Sequence, residues 1–265
     1  MKLPRQLSVT SLALAILSIS SASAVDADDA SADRVLRQMS AKLAAARAFT
    51  FQAQRTMPVP AFDGSGMPKS ARIEVAVRRP DRIVITSTSK GDVRHFYADG
   101  RTLTVCDATN NTYAVVPMRT SIDGLVDRIA IKYGFIPPLV EFAITDVYGD
   151  IRHKSQSIAS LGRKYLPAGF LGLGGIECDR VALTGKVAQA ELWVGVNDQL
   201  PRKLIVTFKD RSGQLRIVTN FTHWNLEANP QAAEFRFAPP KDAMKIPMLT
   251  TAEIPAPKRA APRGE

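Results

Sequence analysis

Histidine, cysteine and carboxylate side chains are the residues of this chain that could do chemistry. The three histidines, His95, His153 and His223, stand far apart, and the sequence contains no His-x-x-x-His or Cys-x-x-Cys pair. Metal sites in proteins usually draw on such closely spaced ligands. We therefore expect no metal ion, and we interpret His95 and His223, which fall in predicted strands, as packed or surface imidazoles.

The glycine-rich stretch GFLGLGGIECD, residues 169–179, resembles a phosphate-binding loop only in composition. A phosphate cradle needs Gly-Lys followed by Ser or Thr, whereas Gly185-Lys186 is followed by Val187. No Gly-x-Ser-x-Gly elbow occurs, and sequence alone cannot pair two carboxylates as acid and base. These patterns predict a flexible loop, no cofactor and a non-enzymatic protein; a hydrolase with an unrecognised site is the remaining enzymatic alternative.

The N-terminus has the three parts of a secretory signal. Lys2 and Arg5 precede the apolar run 12–20, and Ala22-Ser23-Ala24 supplies small residues at the cleavage site. The apolar run is shorter than the roughly 20 residues that span a membrane. No cysteine ends it, which disfavours a lipid anchor. We therefore predict a signal peptide over residues 1–24, cleavage after Ala24, and an exported, soluble protein.

Export makes a disulfide chemically possible between the two cysteines, Cys106 and Cys178. Both fall in or beside predicted strands. A disulfide requires Cα atoms about 4.4–6.8 Å apart, which sequence cannot show. Two separate buried thiols are the alternative.

The formal net charge is +10, with basic residues scattered through the chain rather than massed in one tract. A positive balance favours contact with anionic surfaces. The scatter favours an ordinary solvated surface over a dedicated polyanion site. We expect no nucleic-acid partner, and peripheral contact with an anionic membrane remains open.

Alternating apolar and polar residues predict many short strands. Between residues 49 and 117 the period is two, and turns at 98–101 and 107–111 connect the strands as hairpins. At least four more strands follow, over residues 175–185, 190–196, 201–210 and 214–226. This pattern predicts an antiparallel meander that continues after an interruption.

Helical spacing appears before and within the strands. Residues 25–33 are acidic and are predicted to be loose, and a helix with one apolar stripe follows, with Ser31 as its cap. Residues 121–134 predict an amphipathic helix that Ser121 caps and Gly134 ends. The apolar segment 135–144, begun by Pro137-Pro138, is predicted to complete a helical pair.

We therefore predict a mainly β fold with some α structure: an incomplete antiparallel β-barrel of about ten to eleven strands, with an N-terminal helix and a central helical pair plugging its mouth. The domain spans residues 34–246. Residues 247–265, rich in proline, lysine and arginine, are predicted to be a disordered tail. A curved sheet closed by helices can leave an internal cavity.

Ten apolar residues on these elements are candidates for the wall or lid of such a cavity, although each could equally be ordinary core. Those on strands can line the cavity, and those on the helical pair can form a movable lid. They are Phe51, Val75, Ile83, Ile85, Leu125, Ile129, Tyr133, Phe135, Leu192 and Val206.

Two stretches resemble the periplasmic lipoprotein carriers of the LolA/LolB type. They are VRRPDRIVI…FYADGRTLTVCDATNNTYAVVP and ELWVGVNDQLPRKLIVTFKDRSGQ. The placement of SIDGLVDRIAIKYGFIPPL and GIECDRVAL is closest to one uncharacterised branch, the DUF2092 predicted periplasmic proteins. The resemblance covers about residues 35–240, and its motifs mark turns and strand ends rather than chemistry.

This resemblance implies a periplasmic half-barrel whose apolar interior holds the acyl chain of a lipoprotein or another lipid. The first functional hypothesis is accordingly a non-enzymatic carrier or sensor for an apolar ligand. The alternative is an envelope protein-interaction or regulatory module whose interior is filled by side chains. Transfer of function from a fold alone is analogy, so both hypotheses stay open.

Overall fold

The structure, a computed structural model, describes residues 23–57, 69–167, 174–209 and 215–253. These residues contain three α-helices: α1 (Ser23–Ala45), α2 (Ile122–Tyr133) and α3 (Val147–Lys154). They also contain two 3₁₀ turns, Val140–Phe142 and Ala232–Phe235, and twelve strands. The strands are β1 (Ala48–Met57), β2 (Lys69–Arg78), β3 (Arg82–Ser89), β4 (Asp92–Asp99), β5 (Thr102–Asp107), β6 (Thr112–Pro117), β7 (Ser155–Pro167), β8 (Gly175–Gly185), β9 (Ala188–Gly195), β10 (Pro201–Phe208), β11 (Arg216–Asn225) and β12 (Met244–Lys245).

All twelve strands belong to one open sheet, in the order β12-β6-β5-β4-β3-β2-β1-β11-β10-β9-β8-β7. Neighbouring strands are antiparallel except for β12, which pairs with β6 in parallel. The predicted incomplete antiparallel barrel is therefore confirmed. The strand number exceeds the prediction because β7 and the two-residue β12 have no alternating apolar pattern.

The register places a continuous row of apolar side chains across one face of the sheet. Each residue of the row lies opposite the next on the neighbouring strand, and the order is Phe51, Val75, Ile85, Phe96, Val105 and Ala114. Because side chains alternate between the two faces of a strand, the whole row points to the same side. We call this side, which the helices cover, the inner face, and the opposite side the outer face.

The inner face is filled by side chains. Leu36, Met39 and Leu43 of α1 are fully buried, and Ile129 of α2 is also fully buried; all four belong to one contiguous core with the sheet residues. An aromatic cluster occupies its middle, where Phe51 and Trp224 stack with ring centroids 4.3 Å apart.

Helix α1 begins at Ser23, so the prediction that residues 25–33 are loose was wrong. Alanine is the best helix former, and acidic side chains are stabilised near the positive end of a helix. The signal-peptide prediction lies almost wholly outside the described residues, and cleavage after Ala24 stays a prediction.

Helix α2 is confirmed in detail. Ser121 accepts a hydrogen bond from the Gly124 N–H, and Gly134 ends the helix in the left-handed conformation with φ +70°. The second helix of the predicted pair is wrong: residues 135–144 contain only the 3₁₀ turn Val140–Phe142, and the next α-helix is α3. Two prolines without N–H donors and Leu139 at φ +65° prevent a continuous helix there.

The chain after β11 does not leave the sheet. Phe235 is fully buried, and the Phe237 ring lies 5.6 Å from the Tyr97 ring and 5.0 Å from the Tyr113 ring. Because Tyr97 neighbours the inner-face residue Phe96 on the strand, this contact lies on the outer face. The C-terminal segment thus covers the outer face of β4 to β6.

Residues 244–253, which we call the C-terminal strap, then pass around the β6 edge. Met248 packs against the inner core, and the Thr251 N–H donates to the Lys132 carbonyl at 2.9 Å. The first residues of the predicted disordered tail, 247–253, are therefore placed against α2. Residues 254–265 lie outside the described part of the chain.

Of the two alternatives left open for Cys106 and Cys178, the structure shows two separate buried thiols rather than a disulfide. Both cysteines are free and buried, Cys106 on β5 and Cys178 on β8. Seven strands separate β5 from β8 in the sheet, so the Cα atoms cannot approach to disulfide distance. Burial raises the pKa of both thiols, that of Cys178 to about 11.

Candidate functional site

Most of the predicted cavity residues are part of the filled core. Phe135 is partly buried against that core, and Val206 on β10 is half-buried. Eight of the ten candidates belong to the buried cluster: Phe51, Val75, Ile83, Ile85, Leu125, Ile129, Tyr133 and Leu192. Their side chains fill the inner face, so the geometry moves the search for an apolar site to the edges of the sheet.

An apolar cleft lies at the β6 edge, where the inner-face row ends. Its volume is about 290 Å³, and its wall is mostly apolar. Val105 and Ala114, the last two residues of the row, belong to the wall, together with Tyr133 and Phe135 from the end of α2. The strap closes the other side with Ile246, Pro247, Met248 and Leu249. We call this the edge cleft.

Exposed apolar side chains lie on the elements that form the edge cleft. Of the eight large apolar side chains exposed in the described part of the chain, five lie on the end of α2, the residues after it or the strap: Ile131, Ile136, Met244, Ile246 and Leu249. Ile131 is 78% exposed. Two of the five, Ile246 and Leu249, belong to the cleft wall itself.

Hydrogen bonds hold the strap in place on both sides of the cleft. On the sheet side, the Ile246 N–H donates to the Tyr113 carbonyl at 2.8 Å. On the helix side, Thr251 donates its N–H to Lys132 and its hydroxyl to the Ile131 carbonyl. Between these anchors, residues 247–249 make no backbone hydrogen bond to the sheet or to α2 within the described part of the chain.

Two lysines lie on the same elements. Lys132 ends α2, and Lys245 precedes the strap residues of the wall; both are exposed. Within the described ranges neither forms an ion pair. Lys132 lies over the Tyr133 ring at 5.4 Å and interacts electrostatically with Glu253, and Asp107 belongs to the cleft wall, so side chains of both charges lie near the cleft.

A second cleft, of about 320 Å³, is acidic, with five carboxylates and Lys154 in its wall. Three of the five carboxylates have partners. Asp123 accepts the N–H and the hydroxyl of Thr145, Asp146 accepts the Gly149 N–H at the start of α3, and Lys154 pairs with Asp150. The other two are Asp127 and Glu141; burial raises the pKa of Glu141 above its ordinary value, with Arg55 and Lys154 opposing the rise. We interpret this cleft as a structural junction.

The histidines also have ordinary roles. His95 packs beside Tyr97 and shares a 3.0 Å hydrogen bond with the Thr86 hydroxyl through Nδ1, and burial lowers its pKa. His153 and His223 are exposed. Nowhere in the described ranges do three or more histidine, cysteine or carboxylate side chains come together as metal ligands. The absence of a cofactor and of catalysis stays a prediction.

Sequence reasoning found Tyr133 and Phe135 but missed the rest of the edge cleft. Val105 and Ala114 appeared only as alternating strand residues, and the strap appeared as a tail. The hairpin turn at 108–111 did carry a signal for Val105 and Ala114. The two residues lie the same number of positions before and after the turn, so the register of the hairpin makes them cross-strand partners. Nothing in the sequence signalled that the strap would return to the inner face.

No helix of the described residues has the length and hydropathy needed to cross a membrane. No curated protein matches the sequence. Residues 32–249 match the family model described as predicted periplasmic protein (DUF2092).

Three solved structures illustrate the similarity to known folds. The Pseudomonas aeruginosa MucA/MucB complex is matched with 17% identity and a TM-score of 0.42 over 78% of this chain and 61% of that chain. LprF from Mycobacterium bovis is matched with 11% identity and a TM-score of 0.41 over 77% of this chain and 97% of LprF. A LolA superfamily protein from Nitrosomonas europaea is matched with 12% identity and a TM-score of 0.36 over 78% of this chain and 97% of that protein. This chain therefore spans less than two thirds of the MucB chain.

Proposed function

Because the chain belongs to the DUF2092 family of predicted periplasmic proteins, we propose that it is a non-enzymatic periplasmic carrier or sensor that binds an acyl chain in the edge cleft. The observation that supports this proposal is the mostly apolar cleft, whose wall includes the exposed side chains Ile246 and Leu249. The site differs from the half-barrel interior expected from the sequence, because most residues predicted to line that interior belong to the buried core.

Size and charge both fit one end of a lipid. A volume of about 290 Å³ is at the lower limit of small-molecule sites, so the cleft suits part of an acyl chain. Burying roughly eight methylenes at about 0.8 kcal/mol each would contribute roughly 6 kcal/mol before ordering costs. Lys132 and Lys245 lie on the rim elements, where an anionic headgroup would meet them.

A second candidate function is the protein-interaction or regulatory module, and the filled inner face favours it. In that case the exposed apolar rim would contact an envelope protein, and the edge cleft would take up a side chain of that partner. The two candidates differ in whether a free fatty acid binds the purified protein.

The test is a fluorescence titration of the purified protein with a dansyl-labelled undecanoic acid. We expect saturable binding in the micromolar range. Ala114→Phe, which adds a ring to the buried cleft wall, should weaken binding at least tenfold because it occupies the space of the chain. Ala182→Phe on β8 is the matched control and should bind as the wild type does.

Charge reversal tests the rim separately. Lys132→Glu together with Lys245→Glu should weaken binding of the anionic probe several-fold at low salt and less at high salt. Absence of binding, or equal binding by wild type and a folded Ala114→Phe variant, would contradict the acyl-chain proposal and favour the second candidate.

A further inference from the structure

The two edges of the sheet differ in how they are covered. At the β6 edge, β12 pairs with Thr112 and Tyr113, and the strap continues over the strand end. At the other edge, β7 is the last strand of the sheet. β7 is 13 residues long and is the longest strand of the described residues. An uncovered edge offers a row of N–H and C=O groups to another extended chain.

Helices α1 and α3 pack against β7, but among the described residues the first half of the strand makes backbone pairs with β8 alone. Its partner β8 lies opposite Ser157, Ile158, Ala159 and Ser160. Across the described part of the chain, no backbone hydrogen bond joins residues 156–160 to a segment other than β8. Alternate residues of an antiparallel strand direct their backbone groups away from the existing neighbour, so half of this stretch presents its groups outward.

Protections of an edge strand lie on both sides of the middle of β7, and the first is a register shift between Ser155 and Ser157. A bulge lies between Ser160 and Arg163, with Gly162 at φ +69°. The Leu161 carbonyl accepts a hydrogen bond from Arg180, and Pro167 ends the strand. Bulges, charges and prolines discourage further pairing. Residues 156–160, QSIAS, contain no charge and no proline, and after the register shift at Gln156 the four residues Ser157 to Ser160 pair regularly with β8.

Basic side chains lie at both ends of this bare stretch. Arg152, His153 and Lys154 precede it, and Arg163 and Lys164 follow it; all five are exposed. Lys154 pairs with Asp150, and Arg163 with Asp179. For Arg152 and Lys164 no ion pair exists within the described residues. Positive side chains therefore lie at both ends of the uncharged stretch, and neighbouring carboxylates pair with only some of them.

We propose that β7 accepts an extended acidic segment of a partner protein as a thirteenth strand of the sheet. Backbone hydrogen bonds along residues 156–160 supply the pairing, as in other cases of strand addition. Carboxylates of the segment meet the basic side chains at the two ends, which sets the sign of the partner's charge. Exposed Leu161 and Tyr165 give apolar contact beyond the bulge.

A second copy of this chain fits the edge less well. Pairing of β7 with β7 would bring the same basic residues together in two molecules that each carry a formal charge of +10. Like charges face to face disfavour association. Strand addition at β7 rests on the second candidate function, the protein-interaction module, and names its surface and the charge of its partner. The acyl-chain proposal does not depend on it.

The experiment uses a fluorescent ten-residue peptide of alternating threonine and glutamate and the full purified chain. Anisotropy at low salt should show saturable binding. Two control peptides separate the contributions: one with lysine in place of glutamate, and one with alternate backbone nitrogens methylated. Both should bind at least tenfold more weakly, because the first has the wrong charge and the second cannot complete the ladder.

Variants locate the site. Lys164→Glu should weaken binding several-fold, whereas Lys90→Glu, the same change at an exposed turn lysine between β3 and β4, should not. Hydrogen exchange should show new protection of amides within residues 156–160 when the acidic peptide is bound. Thermal melting of both variants checks that they fold.

Any of four results would overturn the proposal: no binding of the acidic peptide, equal binding of the methylated peptide, equal loss in both lysine variants, or new protection confined to other strands. Concentration-dependent dimerisation that protects residues 156–160 without peptide would overturn it in favour of a second copy. Because the fatty-acid titration is separate, failure here with intact fatty-acid binding leaves the acyl-chain proposal standing.

Discussion

At the scale of single residues, Arg79 connects three parts of the fold. Its guanidinium donates to the carbonyl of Ala46 at 3.2 Å, beyond the end of α1, and to the carbonyls of Ala143 at 2.6 Å and Ile144 at 3.0 Å. Desolvation lowers the pKa of Arg79. A planar group with five donors suits carbonyls that approach from several directions, and lysine could not replace it.

Replacing Arg79 by alanine should destabilise the protein by about 3 kcal/mol, because each buried acceptor left without a donor costs roughly 1–3 kcal/mol. Urea unfolding measures the change. Arg78→Ala is the matched control, since no side-chain hydrogen bond of Arg78 occurs within the described residues, and it should cost less than about 1 kcal/mol. Equal losses in the two variants would show that Arg79 is not a structural junction.

Asp33 connects α1 to α3 through Tyr148. The Tyr148 hydroxyl donates to Asp33 at 2.5 Å, and Arg37 contacts both groups. The hydrogen bond from Tyr148, followed by that from Arg37, lowers the pKa of Asp33 below its ordinary value. The ionised carboxylate therefore stabilises the fold above its unfolded-state pKa, about 4, and this contribution is lost as pH falls through the lower folded-state pKa.

Acid titration of stability tests this connection. Between pH 5 and about pH 2, the free energy of unfolding of Asp33→Asn should fall less steeply than that of the wild type, as measured by urea unfolding at each pH. Asp127→Asn, at an exposed aspartate of α2, should retain the wild-type slope. Parallel curves for wild type and Asp33→Asn would refute the assigned role of the carboxylate.

At the scale of elements, local signals predicted α2 and the hairpins, and longer-range contacts decided the rest. Ser121, Gly134 and the helical spacing between them are all local, so α2 could be predicted to within a residue. β7 was missed because SQSIASLGRKYLP lacks apolar alternation; its pairing with β8, 11 residues long, makes it a strand. The strap has a tail-like composition, and only its contacts with Tyr113 and Lys132 fix its course.

Gly134 links α2 to the strap and gives a test at this scale. A Cβ atom at Gly134, at φ +70°, would lie 3.0 Å from Thr251 Cγ2. Gly134→Ala should cost about 1 kcal/mol for the left-handed conformation, and it should also accelerate proteolysis after Lys245 because the strap is displaced. Gly91→Ala, at φ +76° with no atom within 4 Å, carries the same backbone cost alone.

Unfolding in urea and limited trypsin digestion together separate the two effects. We expect both variants to lose similar stability, and we expect trypsin to cleave the strap faster only in Gly134→Ala. Identical cleavage rates in the two variants would mean that the α2 end does not hold the strap.

At the scale of the whole molecule, the sequence was sufficient for the open, mainly antiparallel sheet but not for the site. Alternation identifies which side chains face inward, and Phe51, Val75 and Ile85 do so. Whether inward side chains fill the space depends on volumes contributed by distant elements such as α1 and Trp224. The strand and helix residues predicted to line an interior cavity mostly belong to one buried core, and the edge cleft exists because the last 20 or so described residues, including the strap, return to the sheet.

The account depends on an apolar chain entering the edge cleft. The most direct measurement is NMR of the purified protein with a fatty acid that carries a nitroxide near its methyl end. We predict selective broadening of amide signals around Val105, Ala114, Tyr133 to Phe135 and the strap residues 246–249. Absence of broadening at saturating fatty acid, or broadening confined to β8, β9 and β10, would contradict the account.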